Sequence, residues 1–445
     1  MHPKEKKPET VAVTLIKFCV PLILSGILQQ LYNWADAFIV GNVVGENALA
    51  AIGATGTISH LFLLAINGFT LGLGVLFAQQ FGGGKNEAIT KMLSSFTVIL
   101  GMVFLILAGI GIVSAEPFLR LLNTPSDTIQ MAADYLRIIL IGVPVMAVYN
   151  VYTAAIRGVG NSRAPFFSIL CSSAVNVLLD VILVAGFSMG VKGAAIATVA
   201  AQMAMTGYII LYSRKYEFLR IRLSGWKSDR TVIKEGACLG FPPMIQSCVN
   251  AFGKLLLQNF MNGFGMQTVA AITTAYRVDT IIFLPMINLS SGISTMVAQN
   301  HGAGKQEEIP KVVKTGTMIM AAVSLVLTGL VIQAGGPLIA MFGVGVEATE
   351  IGRNFFRGIA NFYVVYGISM SIRGYLEGMG DVFYSSLVVI ISLAFRILFS
   401  YGFASVVGNL IIAYAEAASW GVMLALYVGR VVWKERVRKQ GKKNA

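Results

Sequence analysis

Apolar residues in this chain fall in long runs separated by short polar gaps. Twelve runs are legible, at approximately 14–40, 48–79, 91–114, 129–153, 164–186, 191–213, 231–262, 267–300, 311–333, 347–372, 383–407 and 410–432. A helix needs roughly 20 apolar residues to cross a hydrocarbon layer of about 30 Å, so each run is read as one membrane span. The expected fold class is an all-α polytopic membrane protein. Composition supports this: of 445 residues 56% are hydrophobic and 12% charged, against about a quarter charged in soluble domains. A soluble chain of this size would form several cores, each needing a polar skin. Too few charges exist to make one, which excludes soluble enzymes, nucleic-acid binders and disordered tails.

The net charge of +13 changes the picture only through where it lies. The odd gaps (41–47, 115–128, 187–190, 263–266, 334–346, 408–409) hold Arg120, with Lys192 at a span edge, and almost nothing else basic. The 214–234 stretch carries Arg214, Lys215, Arg220, Arg222, Lys227, Arg230 and Lys234, and the C-terminal tail Lys434, Arg436, Arg438, Lys439, Lys442 and Lys443. Cytoplasmic loops concentrate Lys and Arg. A multi-pass protein of the cell inner (plasma) membrane with both termini cytoplasmic is therefore expected, and nucleic acid is not a partner. The apolar run after Lys4, Lys6 and Lys7 outlasts the 7–15 residues of a signal-peptide core and should remain as the first helix. Cys19, Cys171, Cys238 and Cys248 fall in apolar spans without a CxxC pair, and are expected to be small buried hydrophobes.

Self-similarity is the most informative feature. At an offset of 220 residues, Ala78-Gln79-Gln80-Phe81-Gly82-Gly83-Gly84-Lys85-Asn86-Glu87 falls on Ala298-Gln299-Asn300-His301-Gly302-Ala303-Gly304-Lys305-Gln306-Glu307. Ala50-Ala51-Ile52 meets Ala270-Ala271-Ile272, Pro117 meets Pro337, and Arg157-Gly158-Val159-Gly160-Asn161 meets Glu377-Gly378-Met379-Gly380-Asp381. Each half holds six spans. An even number makes the repeat parallel, related by a pseudo-two-fold axis along the membrane normal, a plan used by secondary transporters. The expected organisation is an N-terminal lobe (1–213), a basic cytoplasmic connector (214–230), a C-terminal lobe (231–433) and a basic tail (434–445). A channel or an embedded enzyme is the competing reading. An enzyme, however, would need clustered acids, histidines or a Ser–base pair at mid-membrane.

Such a carrier needs an energy source. The turns at 82–85 and 302–305 lack the first Gly of a phosphate-binding loop, and Asn86 and Gln306 replace its hydroxyl. They read as tight turns in which Gly supplies positive φ, and an ion gradient becomes the expected drive. Ionisable residues inside spans are functional candidates by default. Asp36 lies in span one, Asn176 and Asp180 lie four apart on span five, and Thr198 lies on span six. Two carboxylates, an amide oxygen and a hydroxyl suit a hard cation such as sodium, and the same carboxylates could carry a proton. The alternative is that Asp36 reaches outer water, since Gly41 opens the loop. In the second half Asp36 falls on Leu256, Asn176 on Arg396 and Asp180 on Ser400. The charges there are Lys254, Arg277, Asp279, Arg396 and Glu416, read either as substrate contacts or as structural pairs. Gln29, Tyr32, Asn33 and Trp34 complete the cavity candidates, the aromatic pair through cation–π contact or as part of an interfacial belt.

These features together resemble the MATE (multidrug and toxic compound extrusion) family of secondary exporters. The resemblance spans essentially the whole chain and rests on the two six-span halves and on Leu31-Tyr32-Asn33-Trp34-Ala35-Asp36 followed by Gly41. The paired Gly-Lys turns and the paired loops at 157–161 and 377–381 add to it. It implies a V-shaped bundle of two lobes that alternates between inward- and outward-facing states. It also implies sodium- or proton-coupled export of amphipathic, often cationic, small molecules by a monomer without a cofactor. It further implies an N-lobe cation site at the positions of Asp36, Asn176, Asp180 and Thr198. Some members also use a seventh-helix carboxylate, where this chain has Lys254 and no acid beyond Glu235 at the start of the span. A flippase for a lipid-linked saccharide, or an exporter of anionic or zwitterionic metabolites, stays open through Lys254, Arg277 and Arg396.

Overall fold

The computed structural model describes residues 10–221 and 230–443. Lys4, Lys6 and Lys7, the connector positions 222–229 with Arg222 and Lys227, and residues 444–445 lie outside them. In chain order the helices are α1 (Val11–Val43), α2 (Glu46–Gly82), α3 (Asn86–Val113), α4 (Ala115–Leu121), α5 (Ser126–Gly158), α6 (Arg163–Asp180) and α7 (Gly190–Ser213). After the connector come α8 (Arg230–Asn262), α9 (Met266–Ile282), α10 (Leu284–Gly302), α11 (Ile309–Ala340), α12 (Val346–Ile359), α13 (Tyr363–Gly378), α14 (Val382–Val407) and α15 (Ile411–Lys443). A π-helical turn, Val181–Gly186, continues α6, and a 3₁₀ turn, Ala360–Phe362, joins α12 to α13. The described residues contain no strand.

These elements account for the twelve expected spans. Among the described residues nine stretches are long and apolar enough to cross a membrane, and the last of them, Val382–Gln440, contains both α14 and α15. Arg230–Asn262, interrupted by Pro242 and Pro243, and the α12–α13 segment, whose first helix carries Glu347, Glu350, Arg353 and Arg357, complete the set. Lipid offers no partner to a free backbone group, so every span closes its own hydrogen bonds. Within α1 the Ser25 hydroxyl also donates back to the Pro21 carbonyl one turn earlier, at 2.7 Å.

The structure adds one detail to the sequence pattern and corrects one expectation. The gap at 115–128 is not all loop, because α4 forms there, with Arg120 Nη2 donating to Glu116 Oε1 one turn away at 2.8 Å. The cysteines are not uniformly buried: Cys19 is, but Cys238 is exposed on α8. Pattern alone marks a span without telling which face of it meets protein.

The chain divides into two compact units, with the boundaries inside α1 and α8. One comprises Val20–Ile245; the other takes α1 up to Cys19 and everything from Gln246. In the first, α2 packs along α5 over a core that includes Leu73, Phe77, Phe96, Leu136 and Tyr152. The approach is close because position 158 is Gly, where a Cβ would come within 2.8 Å of the Phe77 Cβ and 3.0 Å of the Ala78 nitrogen. In the second unit, at the same offset of 220, a Cβ on Gly378 would come within 2.6 Å of the Ser294 carbonyl oxygen and 2.7 Å of the Val297 Cβ. The repeat therefore recurs in packing. It recurs in the turns as well: Gly84 has φ 68° and Gly304 φ 71°, and each turn closes with a Lys N–H, Lys85 to the Gln80 carbonyl at 3.0 Å and Lys305 to the Asn300 carbonyl at 2.9 Å.

Candidate cation site

In the unit Val20–Ile245, α1, α6 and α7 carry the four residues singled out in the sequence. Asp180 is the last residue of α6 and is fully buried, and Asn176, one turn earlier on the same face, is 2% exposed. Immediately after Asp180 the helix widens into the π turn, a feature that is rare and frequent at functional sites. Asp36 projects from α1 so that its carboxyl lies within hydrogen-bonding reach of that of Asp180. Two carboxylates from helices far apart in sequence thus share one place. Among the described residues, neither Asp180 oxygen, neither polar side-chain atom of Asn176, nor Oδ1 of Asp36 has a hydrogen-bond donor or acceptor that satisfies it. Buried groups are seldom left so, since each costs about 1–3 kcal/mol and more when charged.

Thr198 is half-buried on α7 and, among the described residues, makes no hydrogen bond to the acidic pair. One turn further along α7, Gln202 leaves its own Oε1 unpaired, over Gly142 of α5, where a Cβ would collide with it. Gln202 was visible as an amide inside an apolar span. Unlike Asn176, which has Asp180 one turn away, it has no acid on its own helix to mark it. Tyr135 of α5, 8% exposed, feels the charge of both Asp36 and Asp180, and Tyr32 of α1 feels that of Asp36. Nothing in the sequence distinguishes Tyr135 from an ordinary core tyrosine. An apolar cluster lies directly beyond the pair: Val40 is one turn after Asp36, Val184 one turn after Asp180, and both pack with Tyr135, Ile139, Ala195 and Val199. Of the remaining α1 candidates, Gln29, Asn33 and Trp34 are exposed, Trp34 by 46%, whereas Tyr32 is half-buried, one turn before Asp36.

The other unit treats its charges differently. Arg396 of α14 forms a two-pronged ion pair with Glu416 of α15, at 2.9 and 2.7 Å, and also donates to the Tyr276 hydroxyl at 2.7 Å. Lys254 and Arg277 are exposed. Asp279 of α9 is 3% exposed and receives one hydrogen bond, from the Tyr363 hydroxyl at 2.6 Å. The sequence could name these charges as candidates, yet their pairing depends on side chains up to 120 residues apart.

Twelve spanning helices, an internal repeat and a polar cluster buried in one half define a polytopic helical carrier. The MatE family model matches residues 21–182 and again 242–402, the second match ending 220 residues after the first, and the chain belongs to this family of membrane transporters and not to the enzymes. It is 26% identical over 455 residues to the probable multidrug resistance protein YoeA of Bacillus subtilis (strain 168), covering 97% of this chain and 96% of that one. It is 24% identical over 404 residues to the probable multidrug resistance protein NorM of Thermotoga maritima, covering 88% and 85%. Its fold is similar to that of a MATE crystal structure in the bent conformation, with a TM-score of 0.90, 18% identity and coverage of 98% and 97%.

Proposed function

We propose that this transporter is a cation-coupled antiporter that exports amphipathic, drug-like compounds by alternating access, with Asp36 and Asp180 as its coupling site. The observation that carries the reading is the pair of carboxyls facing each other in an apolar bundle with, among the described residues, no donor to satisfy them. Side by side, two carboxylates repel unless a proton or a metal cation sits there. Binding the cation neutralises the pair; releasing it restores repulsion between α1 and α6. That gives the helices two states of different energy that an ion gradient can bias. Asn176 supplies a further unclaimed oxygen, and Gln202 and Thr198 line the neighbouring face of α7. The apolar cluster around Val40 and Val184 keeps water from one side of the pair.

A cationic cargo fits the same chemistry, since a positively charged molecule and the coupling cation would compete for one negative site. The similarity to proteins described as multidrug resistance proteins supports a broad rather than a single substrate. Of the basic groups that would favour an anionic cargo, Arg396 is held by Glu416 at 2.7 Å, while Lys254 and Arg277 are exposed.

The test uses protein in liposomes loaded with a fluorescent organic cation, with efflux followed under a sodium gradient and, separately, a pH gradient. Efflux should respond to one of them and name the coupling ion. Asp36→Asn or Asp180→Asn should reduce it to the rate of empty liposomes. Coupled efflux that survives in both variants would overturn the assignment.

A further inference from the structure

The Asp36–Asp180 pair is not an isolated polar spot: a file of polar side chains leads away from it through the bundle. Counting back along α6 from Asp180, every fourth residue is polar, namely Asn176, Ser172 and Ser168. That spacing puts them on one helical face, and all three are buried. At Ser168 the file crosses to α5. Ser168 gives its own proton to the Pro165 carbonyl at 2.7 Å, so the Tyr149 hydroxyl is the donor across their 3.0 Å contact. On α5 the same spacing continues from Tyr149 through buried Thr153 to half-buried Arg157, beside the 159–162 loop. The Thr153 hydroxyl lies within reach of Tyr149, and the charge of Arg157 is felt there as well.

Buried polar groups are costly unless something satisfies them. Among the described residues, both polar atoms of Asn176 and the Thr153 hydroxyl lack a partner in hydrogen-bond geometry, as does Gln202 Oε1 on the adjoining α7. Unsatisfied oxygens thus occur along the file and not only at the carboxyls. Successive rungs are about 6 Å apart along a helix, a step that one water spans with two hydrogen bonds of about 2.8 Å. The internal repeat supplies an independent comparison. At the offset of 220, Ser168 falls on Val388, Asn176 on Arg396, Thr153 on Arg373 and Arg157 on Glu377. There Arg373 closes on Glu377 at 2.6 Å and Arg396 on Glu416 at 2.7 Å. The fold therefore does not require the file: one half fills the same places with a valine and fixed ion pairs, the other with neutral oxygens.

We propose that the file from Asn176 through Ser172, Ser168 and Tyr149 to Thr153 is a proton relay. It joins the Asp36–Asp180 pair to the 159–162 end of the bundle, which the Lys and Arg pattern places in the cytoplasm, and it is separate from the path of the cargo. The inference rests on the pair being the coupling site. A proton hops from oxygen to oxygen one hydrogen bond at a time. A metal ion must keep a cage of oxygen ligands, which one oxygen per helical turn does not supply. In the relay a proton leaves an aspartic acid, the carboxylate is restored, and a proton is delivered at the Arg157 end. The titratable and charged groups facing the file are Tyr32 of α1 and Tyr135 and Arg157 of α5. From α7 come the neutral Gln202 and Thr206. The surroundings of the pair are therefore polar toward the 159–162 loop and apolar, through Val40 and Val184, toward the 187–190 gap.

Time-resolved infrared spectroscopy tests the relay. The full-length protein in detergent is moved into heavy water at fixed pH, and the shift of the protonated carboxyl band is followed. Loss of that band in Asp36→Asn or Asp180→Asn assigns it to the pair. Thr153→Val and Ser168→Ala should each slow the exchange about tenfold, the worth of one hydrogen bond in a barrier. Thr153→Ser, which returns the hydroxyl, should restore the original rate. Ser392→Ala, at the place equivalent to Ser172 in the other unit, should leave it unchanged. A variant that fails to fold would expose the carboxyls and speed the exchange, the opposite sign. Exchange at the original rate in both slowed variants overturns the relay, as does the absence of an exchanging carboxyl band that belongs to Asp36 or Asp180. Because the readout is not efflux, its outcome and that of the antiporter reading are separable.

Discussion

At the scale of single residues, the buried acids sort by whether a cation of the protein claims them. Glu377 is held by Arg373, Glu416 by Arg396, and Asp381 by both Arg430 and Lys434 at 2.8 Å. Among the described residues, Asp36, Asp180 and Asp279 have no such partner. The first group is structural, and Asp381 makes a measurable case of it. Burial alone would raise its carboxyl, but the hydrogen bonds from Arg430 and Lys434 outweigh that and hold it below the ordinary carboxylate range. Its folded value is depressed, so its contribution is complete above the unfolded value of about 3.9 and fades as pH falls through the folded one. Asp381→Asn should therefore cost about 1 kcal/mol near neutrality, allowing for partial solvent screening. Thermal unfolding in detergent would show the gap between variant and wild type closing only in strong acid. Asp36, Asn176 and Asp180 were legible in the sequence because a charge or amide stands out in an apolar run. The partner of Arg396 was not, since choosing Glu416 over Asp279 depends on how α14 and α15 pack.

At the scale of elements, small residues decide how closely helices approach. Gly158 on α5 and Gly378 on α13 occupy equivalent places, and each has backbone or Cβ atoms of the facing helix within 3 Å of where a Cβ would be. Neither neighbour is a flexible side-chain end that could swing aside. Leu at either position forces the helices apart, with an expected loss of about 1–3 kcal/mol, the usual cost of overpacking a filled core. Gly53→Leu is the control, because nothing lies within 4 Å of its Cβ direction. Melting curves of the three variants should separate the first two from the third, and equal shifts would refute the close-approach argument. The offset of 220 made these glycines recognisable as a pair, but their reason is visible only in the packing. The interruptions at Phe283 and at Ala360–Phe362 were less legible still. Pro285 hints at the first, whereas the second has neither Pro nor Gly within it; there the Ala360 carbonyl accepts both the Tyr363 N–H of the 3₁₀ turn and the Thr328 hydroxyl at 2.8 Å.

For the whole molecule, the alternation of charge along the chain implies an orientation, and side-chain pairing sharpens it. Only two cations sit in or beside the odd gaps, and both are matched by acids: Arg120 by Glu116 at 2.8 Å and Lys192 by Asp134 at 3.1 Å. That side of the chain carries almost no net positive charge to hold it in the cytoplasm. The even gaps keep theirs, from Lys85 and Lys305 to Arg214 and Lys215 beside the connector. The expected outcome is that both termini and the turns at 82–85 and 302–305 are cytoplasmic, while α4 and its flanking loop face outward. In a background without native cysteines, Ser126→Cys, exposed at the start of α5, should react with a membrane-impermeant maleimide in intact cells. Lys85→Cys should react only after permeabilisation. The orientation also fixes the sense of the cation site. The cluster of Val40, Val184 and Val199 lies between Asp36–Asp180 and the gaps at 41–47 and 187–190, so in this orientation it separates the pair from the outside. Labelling in the opposite sense would turn that cluster into a barrier toward the cytoplasm, and export driven by an inward cation gradient would then have to load its ion from the other face.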